Sequence, residues 1–228
     1  MGDWGMPSHR LRDFCEEFIM ITIINYGAGN LFSVEKAFAA LGAEVRVSSR
    51  SEDILSSDQV VLPGVGAFGD CMKQLKASGL IPAIKESVER EVPLLGICVG
   101  LQILFEGSDE SSGVEGLNLL RGHVHKISAP HEKIPHMGWN ALDISEHHRE
   151  TGLFHGLSPY PYVYFVHSYH AMPDDVSIIS STCFYGEKIT ASISAGNIMA
   201  TQFHPEKSGD IGLRIIHNFI RHGLEVNV

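Results

Sequence analysis

Cysteine is scarce in this sequence and shows no pairing pattern: Cys15, Cys71, Cys98 and Cys183, with no C-x-x-C. That spacing is neither a disulfide framework nor a zinc-finger module, and it suits a reducing cytoplasm. Basic residues are also few, 17 Lys+Arg against 27 Asp+Glu, for a net charge of −10. An acidic chain without a basic run is a poor match for nucleic acid or an anionic membrane surface. No apolar run approaches the roughly 20 residues that span a bilayer. The opening MGDWGMPSHRLRDFCEEFIM lacks the apolar stretch and small-residue cleavage site of a signal peptide. Internal repeats, low-complexity tracts and linkers are missing too.

What is present is an ordinary globular composition, 44% hydrophobic and 19% charged over 228 residues, enough for one large domain. Residues 1–19 read as a poorly ordered N-terminal extension, since Met20 stands directly before ITIINYG. Residues 20–228 read as a single domain. Residues 19–26 are a near-continuous β-branched run, as in a strand buried on both faces. GAGN breaks it, LFSVEKAFAALG follows with helical spacing, and AEVRVSS and DQVVLPG are two more strands. Residues 80–91 form a helix and 93–97 a fourth strand. This alternation predicts βαβ units and a parallel sheet.

The second half changes character. Residues 108–116 are polar and glycine-rich, a loop. RGHVHKI, GWNALDI, YVYFVHSYHAM, SIISSTCFYG, ITASISAG and IMATQFHP then read as strands without helices between them. The expected fold is therefore α/β, with a mixed, mostly parallel central sheet flanked by helices and antiparallel strands added in the second half. GDIGLRIIHNFIRHGL closes the pattern as a helix with Ile211, Ile215, Ile216, Phe219 and Ile220 on one face.

Chemistry concentrates at three places. Gly96-Ile97-Cys98-Val99-Gly100 has the form of a nucleophile elbow: a tight strand-to-helix turn pushes one side chain outward, and small residues two before and two after avoid collision. The helix start presents free N–H groups and its positive dipole end to the sulfur. A buried structural cysteine is the alternative. In TQFHPEKS, His204 and Glu206 are two apart and in an extended chain point to one side. A carboxylate so placed can orient an imidazole that exchanges a proton with Cys98. For the developing oxyanion, the backbone N–H of Val99 is one donor and that of Val65 another, since Gly64 and Gly66 let its peptide approach a ligand.

GVGAFG at residues 64–69 also matches G-x-G-x-x-G. It follows the third expected strand rather than the first, and the matching acids, Glu86 and Glu89, fall inside a helix, which weakens a dinucleotide reading. His123 with His125, His147 with His148, and His167 with His170 lack a companion ligand at a recognised spacing. No metal and no cofactor are expected.

With G-x-C-x-G, Gln102 four residues on, and His-Pro-Glu near the end, the chain from about residue 20 onward resembles the class I, triad-type glutamine amidotransferases. NYGAGNLFSVEKAF, LPGVGAFGD, PHMGWN and YFVHSYH together are similar to the glutaminase subunits of imidazole glycerol phosphate synthases, in histidine biosynthesis. The resemblance implies that Cys98 attacks the glutamine side-chain amide, with His204 as acid and base and Glu206 orienting it. It implies that Gly64, Gly66, Gln102 and the Ser168 and Tyr169 backbone help to hold substrate. It also implies a separate (β/α)₈ cyclase subunit that receives the ammonia, with Asn30, Trp139, Tyr164 and Lys207 near that interface. Glutamine hydrolysis is then expected to be weak alone and to rise when the liganded cyclase is bound. A stand-alone thiol hydrolase or peptidase, and a non-catalytic binding subunit, are the competing readings.

Overall fold

The computed structural model describes residues 19–150 and 152–226, with side chains to Gly223. Residues 1–18, and with them Cys15 and nearly all of the expected extension, lie outside the described residues. Strand β1 (Met20–Ile24) is followed by α1 (Leu31–Ala39), β2 (Glu44–Ser48), α2 (Ser51–Leu55), β3 (Gln59–Gly64), α3 (Phe68–Ser78), α4 (Ile81–Glu89) and β4 (Leu94–Cys98). One helical turn, α5 (Val99–Gln102), leads to β5 (Gly107–Ser108), β6 (Gly122–Lys126), β7 (His136–Ala141) and β8 (Asp143–Ile144). Then come β9 (Tyr162–His167), β10 (Tyr169–Pro173), β11 (Ile179–Tyr185), β12 (Glu187–Ala195), β13 (Ile198–Thr201) and α6 (Gly209–Val226).

The main sheet has the order β2-β1-β3-β4-β13-β12-β11-β8. Its first five strands run parallel and the rest are added antiparallel, as the pattern predicts. The apolar strands β1, β3 and β4 are buried on both faces almost throughout, because helices cover both sides of a parallel sheet. On α6, Ile215, Ile216 and Phe219 are fully buried, while Ile211 and Ile220 pack at the margin. Phe219 meets Phe38 of α1 edge-on at 6.3 Å, and burying each such side chain contributes about 2 kcal/mol.

Several expectations need correction. GWNALDI is two strands, with the chain leaving the β7–β9 ribbon at Leu142 and joining β11 as β8. YVYFVHSYHAM also divides, at Ser168: β9 pairs with β7, and β10 with β6 in a three-stranded sheet. A one-residue break keeps the strand-like composition and so hides a change of sheet. The helix expected after Cys98 is a single buried turn, and α2 and α3 add to the expected helices. Residues 108–116 are irregular apart from Ser108 in β5.

β3, β4 and β13 are neighbours in register, with Gly64 opposite Cys98 and Ile97 opposite Thr201. The loops that follow these strands therefore emerge together at the carboxyl edge of the sheet, where open α/β sheets bind ligands.

Candidate active site

Cys98 sits at φ 57°, ψ −111°, a left-handed conformation that costs a non-glycine residue about 1–3 kcal/mol. The neighbours that hold it there are glycines for steric reasons. A Cβ on Gly100 would overlap the Leu62 carbonyl oxygen, and one on Gly96 would stand 3.0 Å from both Ala200 Cβ and the Gly100 oxygen. The elbow thus forces the thiol out of the sheet edge, yet leaves it only 4% exposed.

His204 ends the run after β13 and faces that thiol. Its Nδ1 lies 2.8 Å from Glu206 Oε1, and the side chains are 3% and 1% exposed. Strand alternation is not what joins them: His204 is extended, but Glu206 lies in a 3₁₀ turn, Pro205–Lys207, that swings the carboxylate back beneath the ring. Burial by itself pulls the imidazole down, but hydrogen bonds to Cys98 and Glu206, with the charges of both, outweigh it and leave His204 raised to about 9. The other Glu206 oxygen is buried without a partner. Such a carboxylate is tolerable beside a cationic imidazole, the arrangement that presents a neighbouring sulfur as a nucleophile.

A cavity of about 380 Å³ opens over Cys98. Val65, Gly66, Val99, Gln102, Ser168, Tyr169 and Lys207 line it with Cys98 and His204; Gly64 lies buried beneath them as the cross-strand partner of Cys98. Val65 is 40% exposed, followed by Gly66 at φ +88°, and its carbonyl accepts from the Cys71 thiol at 3.3 Å. Asn30, Trp139 and Tyr164 stand outside the cavity. Asn30 caps α1, Trp139 is 56% exposed, and Tyr164 lies edge-on to it at 6.2 Å. The Tyr164 backbone is fastened on both sides to the Pro205–Lys207 turn, accepting from His204 N–H and donating to Ser208 Oγ.

Several residues at the site escaped the sequence reading: Pro135 and Val166 line the cavity, as does His167, weighed there only as a metal ligand, and Gln202 and Glu110 stand beside them. Gln202 bridges Gln102 at 3.0 Å and approaches Cys98 Sγ at 3.8 Å; its place two residues before His204 was the available signal. Glu110 lines the cavity from the loop expected to be featureless. Its carboxylate accepts from Phe68 N–H at 2.7 Å, and Ser111 Oγ from Gly69 N–H at 3.0 Å. The N-terminus of α3, where G-x-G-x-x-G would place a pyrophosphate, is therefore already occupied by side chains. His123 and His125 share Asp109, at 3.2 and 3.0 Å, a carboxylate that spacing did not indicate.

Residues 22–222 match the family of class I glutamine amidotransferases. The chain belongs to that family. Within it, the chain groups with the subunits named HisH of imidazole glycerol phosphate synthase. It is 47% identical to that subunit of Syntrophotalea carbinolica over 206 residues, covering 88% of this chain and 98% of the relative. It is also 47% identical to the subunit of Methanocaldococcus jannaschii over 201 residues, with the same coverage. Among solved structures, PurLQS of Thermotoga maritima superimposes with a TM-score of 0.69 at 18% identity, over 90% of this chain and 98% of that one. That likeness concerns the amidotransferase fold alone.

Proposed function

We propose that this amidotransferase is the glutaminase of a two-subunit imidazole glycerol phosphate synthase in histidine biosynthesis, with Cys98, His204 and Glu206 as its triad. The observation that carries the reading is the elbow cysteine facing a carboxylate-held imidazole across a cavity lined by both. Cys98, its proton on His204, attacks the side-chain carbonyl of glutamine. The oxyanion is held by the N–H groups of Val99 and Val65. The tetrahedral intermediate collapses as His204 gives its proton to the departing ammonia. Water then attacks the glutamyl thioester, His204 takes its proton, glutamate leaves, and the thiolate–imidazolium pair is restored. Gln102 and the backbone of Ser168 and Tyr169, with Gly64 and Gly66 shaping the facing loop, hold the substrate.

The ammonia passes to a (β/α)₈ cyclase subunit. The relatives are named as subunits of a synthase, and the β7–β9 ribbon exposes Met137, Trp139 and Tyr162 at 56–61%, an aromatic-rich patch of the kind enriched at interfaces. Tyr164, beside Trp139, extends that face, and Asn30 and Lys207 are the further residues proposed to meet the partner. A working thiol beside free, buried Cys71 and Cys183 suits a reducing cytoplasm. Among the described residues no helix is long and apolar enough to cross a membrane.

The test is glutamate release from glutamine by the chain alone, with the cyclase, and with the cyclase plus its ribonucleotide. Strong stimulation is expected in the last mixture only. Full activity alone would leave a thiol glutaminase but remove the coupled synthase.

A further inference from the structure

Between the glutamine cavity and the exposed face of the β7–β9 ribbon runs a chain of buried polar groups that the chemistry above does not use. His136 of β7 and His167 of β9 are cross-strand partners, 2% and 6% exposed. His136 Nδ1 lies 3.0 Å from His167 Nε2, and His167 Nδ1 lies 2.9 Å from the Tyr169 carbonyl oxygen.

The direction of every bond follows. A carbonyl only accepts, so His167 carries its hydrogen on Nδ1, and its Nε2 accepts from His136 Nδ1–H. His136 Nε2 then accepts from Asn140 Nδ2 at 3.3 Å, and the same amide donates to the Phe184 carbonyl at 3.0 Å. Burial holds both imidazoles neutral, lowering His136 to about 4 and His167 to about 3. His136 is also fixed laterally, stacked between Phe165 at 4.6 Å and Tyr185 at 4.1 Å.

The chain ends at a junction. The Tyr169 carbonyl accepts a second hydrogen bond, from Gln102 Nε2 at 3.0 Å, and that amide also donates to Gln202 Oε1 at 3.0 Å. Both Gln102 hydrogens are thereby committed, and its Oε1 is the atom left for a ligand in the cavity. At the other end, β7 alternates: His136 faces inward, while Met137 and Trp139 face outward at 61% and 56% exposure.

We propose that His136 and His167 are positioning residues that set Gln102 through the Tyr169 carbonyl and tie that setting to the position of β7 under a docked partner. The proposal rests on the reading that glutamine fills the cavity and a partner subunit sits on the ribbon. Its physical basis is that β7 cannot shift without carrying the stacked His136 ring, and the directional bonds pass that shift to one carbonyl.

The test is steady-state glutamate release by the complex with the liganded cyclase. His136→Phe keeps a ring between Phe165 and Tyr185 but removes the donor. KM for glutamine is expected to rise about fivefold, the effect of one lost hydrogen bond, with kcat within about twofold. His136→Gln, which keeps a donor, is expected to restore most of the affinity. On a Gln102→Met background the His136→Phe effect is expected to vanish, since coupled sites are not additive. Asn140→Ala, which loosens the same chain nearer its surface end, is expected to raise KM about threefold and serves if His136→Phe does not fold. Unchanged KM in a folded variant of an active chain, with only a lowered melting temperature, would overturn the relay alone. Absence of glutamine hydrolysis by the wild-type complex would overturn the underlying reading and the relay with it.

Discussion

At the scale of the residue, the site depends on one strained backbone and the small neighbours that impose it. Cys98 stays at φ 57° because Gly96 and Gly100 let β3, β4 and α5 close around it. Gly100→Ala would drive a methyl group into the Leu62 carbonyl. It is expected to destabilise the fold by about 3 kcal/mol and to remove activity, read from urea unfolding and glutamate release. Wild-type stability would show that the turn relaxes at no cost. The thiol, the histidine and the acid were legible in the sequence because G-x-C-x-G and His-Pro-Glu are local patterns with a mechanical reason behind them. Gln202 was not, since its partner Gln102 is 100 residues away and only the fold brings the two amides together. Glu110 was hidden for a similar reason: a loop acid acquires meaning only when α3 docks its first N–H groups against it.

At the scale of the element, the β7–β9 ribbon separates two tasks by simple alternation. One face buries His136, Val163, Phe165 and His167, and the other exposes Met137, Trp139 and Tyr162. Trp139→Ala should therefore weaken binding of the proposed cyclase partner by at least about 2 kcal/mol, as for a central aromatic anchor, while leaving the melting temperature of the isolated chain nearly unchanged. Calorimetric titration and thermal unfolding measure the two; a large loss of stability with intact binding would assign Trp139 to the core instead. The central parallel strands were readable because burial on both faces demands uninterrupted Ile, Val and Leu. The division at Ser168 was not, because β9 and β10 are equally strand-like and composition carries no information about which sheet a strand joins. That division matters for function, since it places the Ser168 and Tyr169 backbone at the cavity.

At the scale of the whole molecule, buried titratable groups oppose one another across neutral pH. His136 and His167 are lowered by burial to about 4 and about 3, and buried His170 is lowered too. The unfolded chain takes up these protons first, so stability is lost as pH falls below about 6.5, the ordinary histidine value. His204 is raised to about 9. In the ion pair that proton is the one Cys98 gave up, so below the ordinary thiol value of about 8.5 the pair binds one proton folded or unfolded and adds no slope; above it the unfolded thiol ionises, and the stabilisation is lost as pH rises toward 9. Cys183, pushed up by burial to about 12, adds to the loss on the alkaline side, because the unfolded thiol ionises first. Unfolding free energy measured against pH should be level between about 6.5 and 8.5 and fall on both sides. A profile falling steadily from about pH 6.5 to 8 would contradict the transfer of the Cys98 proton to His204.

The central claim, that Cys98 attacks the amide of glutamine, is tested most directly by mass spectrometry of the chain quenched in acid during turnover with its liganded partner. A glutamyl adduct on the peptide containing Cys98 is predicted, absent from Cys98→Ser, which should retain synthesis from free ammonia through the proposed cyclase. Glutamine turnover persisting in Cys98→Ser, or an adduct on Cys71 or Cys183 instead, would contradict it.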